Sequence, residues 1–219
     1  MNLKLYAHPF SSYCQKVLIA LYENDIPFQW RELSSEQPQI YAEFAAMWPL
    51  KRFPVLMDGN RAIMESSIII EHLELYYPGP VSLLPANARN ALEVRNLDRF
   101  FDCYVSTPMQ KIVFDALRPE SERDVRGVHE AREMLDAAYA WLDQHLDGCE
   151  WAAGHAFSLA DCSAAPSLFY ADWTHRIDPS FTRLIAYRKR LLARSSFARA
   201  VDEARPYRSL FPLGAPDRD

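Results

Sequence analysis

Apolar and polar positions along the chain change their rhythm near Gly79. Before it the runs are short and of two kinds. Residues 3–7 form a compact apolar run and predict a strand. Residues 13–23 place Val17, Leu18, Leu21 and Tyr22 on one side at helical spacing. Residues 28–32 alternate and predict a second strand, and residues 38–47 a short helix. Residues 54–57 and 61–63 flank Asp58-Gly59-Asn60, a turn signal that predicts a hairpin. Residues 65–76 read as a helix with a serine-rich start. The opening βαβ unit places its two strands parallel in one sheet, and the hairpin adds an antiparallel pair.

Tyr77-Pro78-Gly79-Pro80 is punctuation, and residues 80–88 are expected to be a linker. Everything beyond carries helical periodicity, in residues 89–117, 120–146, 158–170 and 179–205. Pro108 is expected to kink the first of these, and the last holds one or two helices. The expected architecture is an α/β domain (βαβαββα) over residues 1–79 and an all-α domain over residues 89–219. The chain contains no internal repeat.

Composition removes several function classes. The chain has 219 residues, 49% of them hydrophobic, enough for a full core. Its net charge of -5 argues against a general nucleic-acid binder, which would carry a basic stripe. No window approaches the roughly 18 apolar residues of a membrane helix. Residues 1–5 show no apolar run behind a basic start, so a cytoplasmic location is expected. Cys14, Cys103, Cys149 and Cys162 lack the close paired spacing of a metal site and are read as reduced thiols.

Three stretches could carry chemistry. Phe10-Ser11-Ser12-Tyr13-Cys14 follows a strand and opens a helix. Its serines sit beside unpaired backbone N–H groups and the positive end of a helix dipole, a place suited to an anion or thiolate. A hydroxyl there caps the helix or donates to a bound sulfur, and the local residues leave both roles open. At Phe53-Pro54, a cis bond would turn the Phe53 backbone outward to pair with an extended peptide. Ser66 and Ser67 open another helix, where a carboxylate can bind, and Glu65 beside them can take an ammonium group. A capped helix with a solvated glutamate is the plainer reading of that segment. Taken together, the three ask for a ligand with an amino-acid end, a peptide middle and a thiol, which is glutathione.

These stretches resemble the cytosolic glutathione transferases over residues 3–210. The resemblance implies a thioredoxin-like first domain, an all-helical second domain and glutathione as co-substrate. Glutaredoxins carry Cys-Pro-Tyr-Cys in the place of Ser11-Ser12-Tyr13-Cys14. In the zeta and tau classes the activating serine stands six before the position matching Val17, which is Ser11 here. The resemblance therefore makes Ser11 the catalytic residue, Ser12 a glutathione-binding residue beside it, and Cys14 the relic of a second redox cysteine. It also implies that Pro54 is cis, that the Phe53 backbone holds the cysteinyl part, and that Arg52 lies near the glycine carboxylate. Glu65 and Ser66 would hold the γ-glutamyl end. Ser158 and Asp161 match the family's capping box, whose role is folding. Phe53, Lys16 and Trp48 differ from the commoner residues at their places, and Ser11-Ser12-Tyr13-Cys14 differs from the shorter zeta motif.

The expected reaction is attack of an activated thiolate on a small hydrophobic electrophile. Phe10, Phe100, Tyr104, Thr107 and Lys111 are expected to line the electrophile pocket, Tyr104 and Lys111 being two turns apart on one helix face. The Trp173 region is expected to approach it, while Phe101 and Phe114 are read as helix core. Cys14 is read as a buried small hydrophobe, the alternative being an exposed thiol that forms a mixed disulfide. His8 is read as structural, close to the site. The resemblance further implies a homodimer. Glutathione-dependent isomerisation, peroxide reduction, thiol transfer and dehalogenation stay open, as does a non-catalytic ligand-binding or protein-interaction role.

Overall fold

The computed structural model describes residues 3–219. Met1 and Asn2, within the stretch read for a targeting signal, lie outside the described residues. Strands β1 (Leu3–Ala7), β2 (Gln29–Glu32), β3 (Val55–Asp58) and β4 (Arg61–Met64) form one sheet in the order β2-β1-β3-β4. Between β1 and β2 the chain crosses one face as helix α1 (Ser12–Glu23), so the two strands run parallel, with Leu5 opposite Trp30. β3 is antiparallel to both β1 and β4. The hairpin turns at Gly59, whose φ of +59° a residue without Cβ adopts at no steric cost. Helices α2 (Pro38–Met47) and α3 (Ser66–Tyr76) complete this half.

The second half is helical: α4 (Ala88–Phe100), α5 (Thr107–Ala116), α6 (Val125–His145), α7 (Leu159–Thr174), α8 (Thr182–Ala193) and α9 (Ser195–Ala204), followed by a 3₁₀ segment, Arg205–Leu210. No helix among the described residues is long and apolar enough to cross a membrane. Residues 17–21 are all buried because α1 is sandwiched between the sheet and α7, so its apolar positions are not confined to one side. α7 itself is buried along nearly its whole length. Its start is held by Asp161. Oδ2 accepts from Ser158 N–H (2.9 Å) and Ser158 Oγ (3.0 Å), and Oδ1 accepts from Ala152 N–H (2.8 Å) and the Tyr187 hydroxyl (2.6 Å).

The expectation of one kinked helix over residues 89–117 is corrected. A π-helical segment, Phe101–Ser106, separates α4 from α5. Pro108 has no N–H to close an α-helical bond, and the wider turn just before it takes up the mismatch. Thr107 supports that turn, its N–H and Oγ1 both donating to the Asp102 carbonyl, Oγ1 at 2.9 Å.

A buried polar cluster joins the two halves. Lys16 Nζ on α1 lies 2.6 Å from Asp98 Oδ1 and 3.1 Å from Asp102, and donates to Ser67 Oγ at 2.9 Å. Ser67 donates to Asp98 Oδ2 (2.8 Å) and Ser163 on α7 to Asp102 Oδ1 (3.1 Å). A lysine almost without solvent exposure is tolerated only with such partners.

Candidate active site

A cleft of about 600 Å³ opens between the two halves. One wall is built from three chain turns: the loop from β1 into α1, the approach to β3, and the start of α3. These bring Ser11, Ser12, Arg52, Phe53, Pro54, Glu65 and Ser66 together around one space.

Ser11 is extended (φ -92°, ψ 126°) and caps α1, its Oγ accepting from Cys14 N–H at 3.4 Å. The two roles left open by the sequence do not compete. Capping uses an oxygen lone pair and leaves the hydroxyl proton to donate, to the neighbouring Cys14 sulfur or to a bound one. Ser12, in the first turn of α1, is nearly buried at the cleft wall. Tyr6, nearby on β1, is committed elsewhere, its hydroxyl donating to Glu43 Oε2 at 2.9 Å. Tyr13 lines the cleft, and burial pushes its phenol up to about 12, so it stays protonated near neutrality.

The Phe53–Pro54 bond is cis. Neither backbone group of Phe53 is taken by another backbone group among the described residues, so both can meet an extended peptide. Glu65 has φ of +66° and ψ of 119°, a conformation that non-glycine residues rarely adopt. It turns the chain from β4 into α3 and leaves its side chain exposed at the cleft, with no hydrogen bond to the start of that helix. Ser66 remains at the cleft wall, whereas Ser67 is drawn inward to Lys16 and Asp98. One end of the site can therefore take both charges of an amino-acid head group.

The opposite wall comes from the helical half. Thr107 lies on it as expected, and Phe10, from the β1–α1 loop, lines the cleft as expected. Phe100, Tyr104 and Lys111 do not. Phe100 stacks on Trp141 with ring centroids 4.4 Å apart, Tyr104 sits 5.4 Å from Phe100, and Lys111 pairs with Asp124. Lys111 lies beyond the π-helical segment, where one extra residue in a turn rotates the helix by about 100°, and Tyr104 lies within that segment, whereas Phe100 precedes it and is held by its stacking on Trp141. That rotation turns Met109, Val113 and Leu117 to the cleft, four residues apart along α5. Phe114, read as core, is half exposed and lines the cleft, while Phe101 is fully buried as expected. Tyr170, Leu210 and Phe211 close the space. Trp173 stands behind them, packed on Phe10 (6.5 Å) and Phe211 (5.4 Å). The spacing of residues 109, 113 and 117 was the available signal for this wall, and only the helical phase decides which way it faces.

Cys14 is fully buried, and burial pushes its thiol up to about 12, against the pull of contacts from Ser11 and the His8 N–H. Burial also lowers the His8 pKa, and His8 Nδ1 accepts from Phe10 N–H at 3.1 Å, so the ring holds the loop that carries Ser11.

This arrangement, a thioredoxin-like sheet half whose helix starts face an all-helical half, matches known proteins. A family model described as glutathione S-transferase, N-terminal domain, matches residues 5–81, and one for the C-terminal domain matches residues 115–190. The chain belongs to the glutathione S-transferase family. Within that family it is 29% identical over 218 residues to a Vibrio cholerae protein named probable maleylacetoacetate isomerase, covering 94% of this chain and 98% of the relative. It is likewise 29% identical over 179 residues to FtsZ-localized protein A of Caulobacter vibrioides, covering 77% of each. The crystal structure of a Methylobacterium radiotolerans glutathione S-transferase in complex with glutathione sulfonate superposes with a TM-score of 0.80 at 26% identity, covering 92% of this chain and 95% of that one.

Proposed function

We propose that this family member binds glutathione along the sheet-side wall and uses Ser11 to hold its sulfur as thiolate. The thiolate then attacks a small hydrophobic electrophile held against α5 and the Leu210–Phe211 turn. The observation that carries this reading is the Ser11 hydroxyl, anchored at a helix N-terminus and lining the cleft. Glu65 and Ser66 would take the γ-glutamyl end, the Phe53 backbone the cysteinyl part and Arg52 the glycine carboxylate.

The magnitudes suffice. A cysteine-type thiol has a pKa of about 8.5, and lowering it by about two units requires roughly 2.7 kcal/mol of preference for the anion. A hydroxyl donating to a charged acceptor contributes about 1.5–3 kcal/mol, and a helix N-terminus up to about 2. Ser11 and the start of α1 can supply the shift with no proton leaving the serine. In the reaction, the sulfur lone pair forms the bond to carbon, and the leaving group departs with its own electron pair.

The test is a pH titration of thiolate absorbance for glutathione bound to the protein. The bound thiol is expected to ionise about two units below its free value. Ser11→Ala should return it by about one unit or more and slow turnover near neutrality roughly tenfold. An unshifted bound thiol in the parent protein would end this reading.

The Vibrio relative's name supports a second reading, isomerisation by the same thiolate through addition to a double bond and its later expulsion. Screening electrophiles against unsaturated acids separates the two. We also propose a homodimer in a reducing, cytoplasmic setting. Ile68, Leu75 and Tyr76 on α3 and Leu92 on α4 are all more than half exposed, and the Arg95–Glu71 ion pair (2.8 Å) holds the two helices side by side. Four free thiols suit such a compartment.

A further inference from the structure

Behind the loop that carries Ser11 lies a second cavity, of about 640 Å³, between residues 25–32 and the α9 end of the chain. Pro9 lines it, while its neighbours His8 and Phe10 line the cleft on the other side. Tyr207 completes the partition, meeting the His8 ring edge-on at 4.9 Å.

Phe28, Trp30 and Tyr207 present rings to this cavity, and Asp25, Glu32 and Glu203 bring carboxylates. Arg199 is the one guanidinium there. It is engaged at one end, with Nε 2.9 Å from Glu203 Oε1 and its charge 3.9 Å from the centre of the Tyr22 ring. Glu32 is held differently. Its oxygens accept from two neutral donors, the Tyr207 hydroxyl at 2.9 Å and Trp30 Nε1–H at 3.4 Å. Among the described residues, no cationic side chain lies within ion-pair distance of Glu32 or Asp25. The lining therefore fixes a carboxylate among aromatic rings and leaves its charge uncompensated.

We propose that this cavity binds a small organic ammonium ion, its head group resting against Trp30, Phe28 and Tyr207 and facing Glu32. Ring faces attract cations through their quadrupole, and alkylated ammonium groups, being weakly hydrated, gain most from such a cage. An anion would meet the excess of carboxylates, and a neutral ligand would gain nothing from Glu32. The site is separate from the glutathione cleft and does not depend on the reading of that cleft.

The experiment is an amide and indole NMR titration of the full chain with choline, and in parallel with dimethylbutanol, its uncharged carbon isostere. Saturable choline shifts are expected at Trp30 Nε1–H and around Tyr207. The isostere should bind at least tenfold more weakly, and Glu32→Gln should weaken choline by at least tenfold. Asp25→Asn, an exposed change that leaves the packing alone, should weaken it about threefold through the lost charge. Equal binding of choline and the isostere, unchanged choline binding in both variants, or shifts at Ser11 and Glu65 instead of Trp30 would each overturn the proposal, as would the absence of saturable binding.

Discussion

His8 shows how a single residue can serve a site without touching its chemistry. Burial lowers its pKa, with Glu32 pulling weakly the other way, and its Nδ1 is occupied by the Phe10 N–H. The folded protein thus keeps this ring neutral at a pH where the unfolded chain, with an ordinary value of about 6.5, already binds a proton. Between the lowered value and about 6.5 the unfolded state holds more protons, so stability rises with pH across that window, and below it, where both states are protonated, His8 changes nothing further. Urea midpoints at pH 5 and pH 7 should therefore differ in the parent protein. His8→Gln should narrow the gap, and an equal gap in the variant would remove His8 as its cause. At this scale much of the site was legible. Ser11, the Phe53–Pro54 pair, Glu65 and Ser66 each belong to one local turn or helix start, where residue type and backbone form are tightly linked. Cys14 was read as a buried small hydrophobe and is one, although its burial depends on α7 packing over α1 from far along the chain.

Elements decide which local signals survive. β1, α1, β2 and the hairpin were readable because short apolar runs and a glycine turn specify them nearly alone. The π-helical segment was not, since an extra residue per turn leaves no signature in residue type. Missing it misdirected Tyr104 and Lys111 and hid the wall formed by Met109 and Val113. The start of α7 is the opposite case, a motif plain in sequence whose weight appears only in three dimensions. Asp161 serves four donors there. Asp161→Ala leaves them buried and is expected to cost about 3 kcal/mol or more, read from the urea midpoint, with Asp161→Asn recovering part. A loss below about 1 kcal/mol would mean that the helix start is held by other contacts.

For the whole molecule, the exposed row on α3 and α4 matters most. Leu75 is three-quarters exposed, the most of any residue in that row. If the row is covered by a second copy, Leu75→Arg should convert the protein to a monomer in sedimentation while leaving its circular dichroism unchanged. A parent protein that already sediments as a monomer would rule the dimer out. Glu65, finally, holds a backbone angle that costs an L-residue on the order of 1–3 kcal/mol and that glycine would adopt freely. Glu65→Gly should raise the melting temperature by a few degrees and weaken glutathione binding at least tenfold. Selection for heat resistance alone would discard this side chain early, so on the reading proposed above its strain is what the fold gives up in order to hold a ligand.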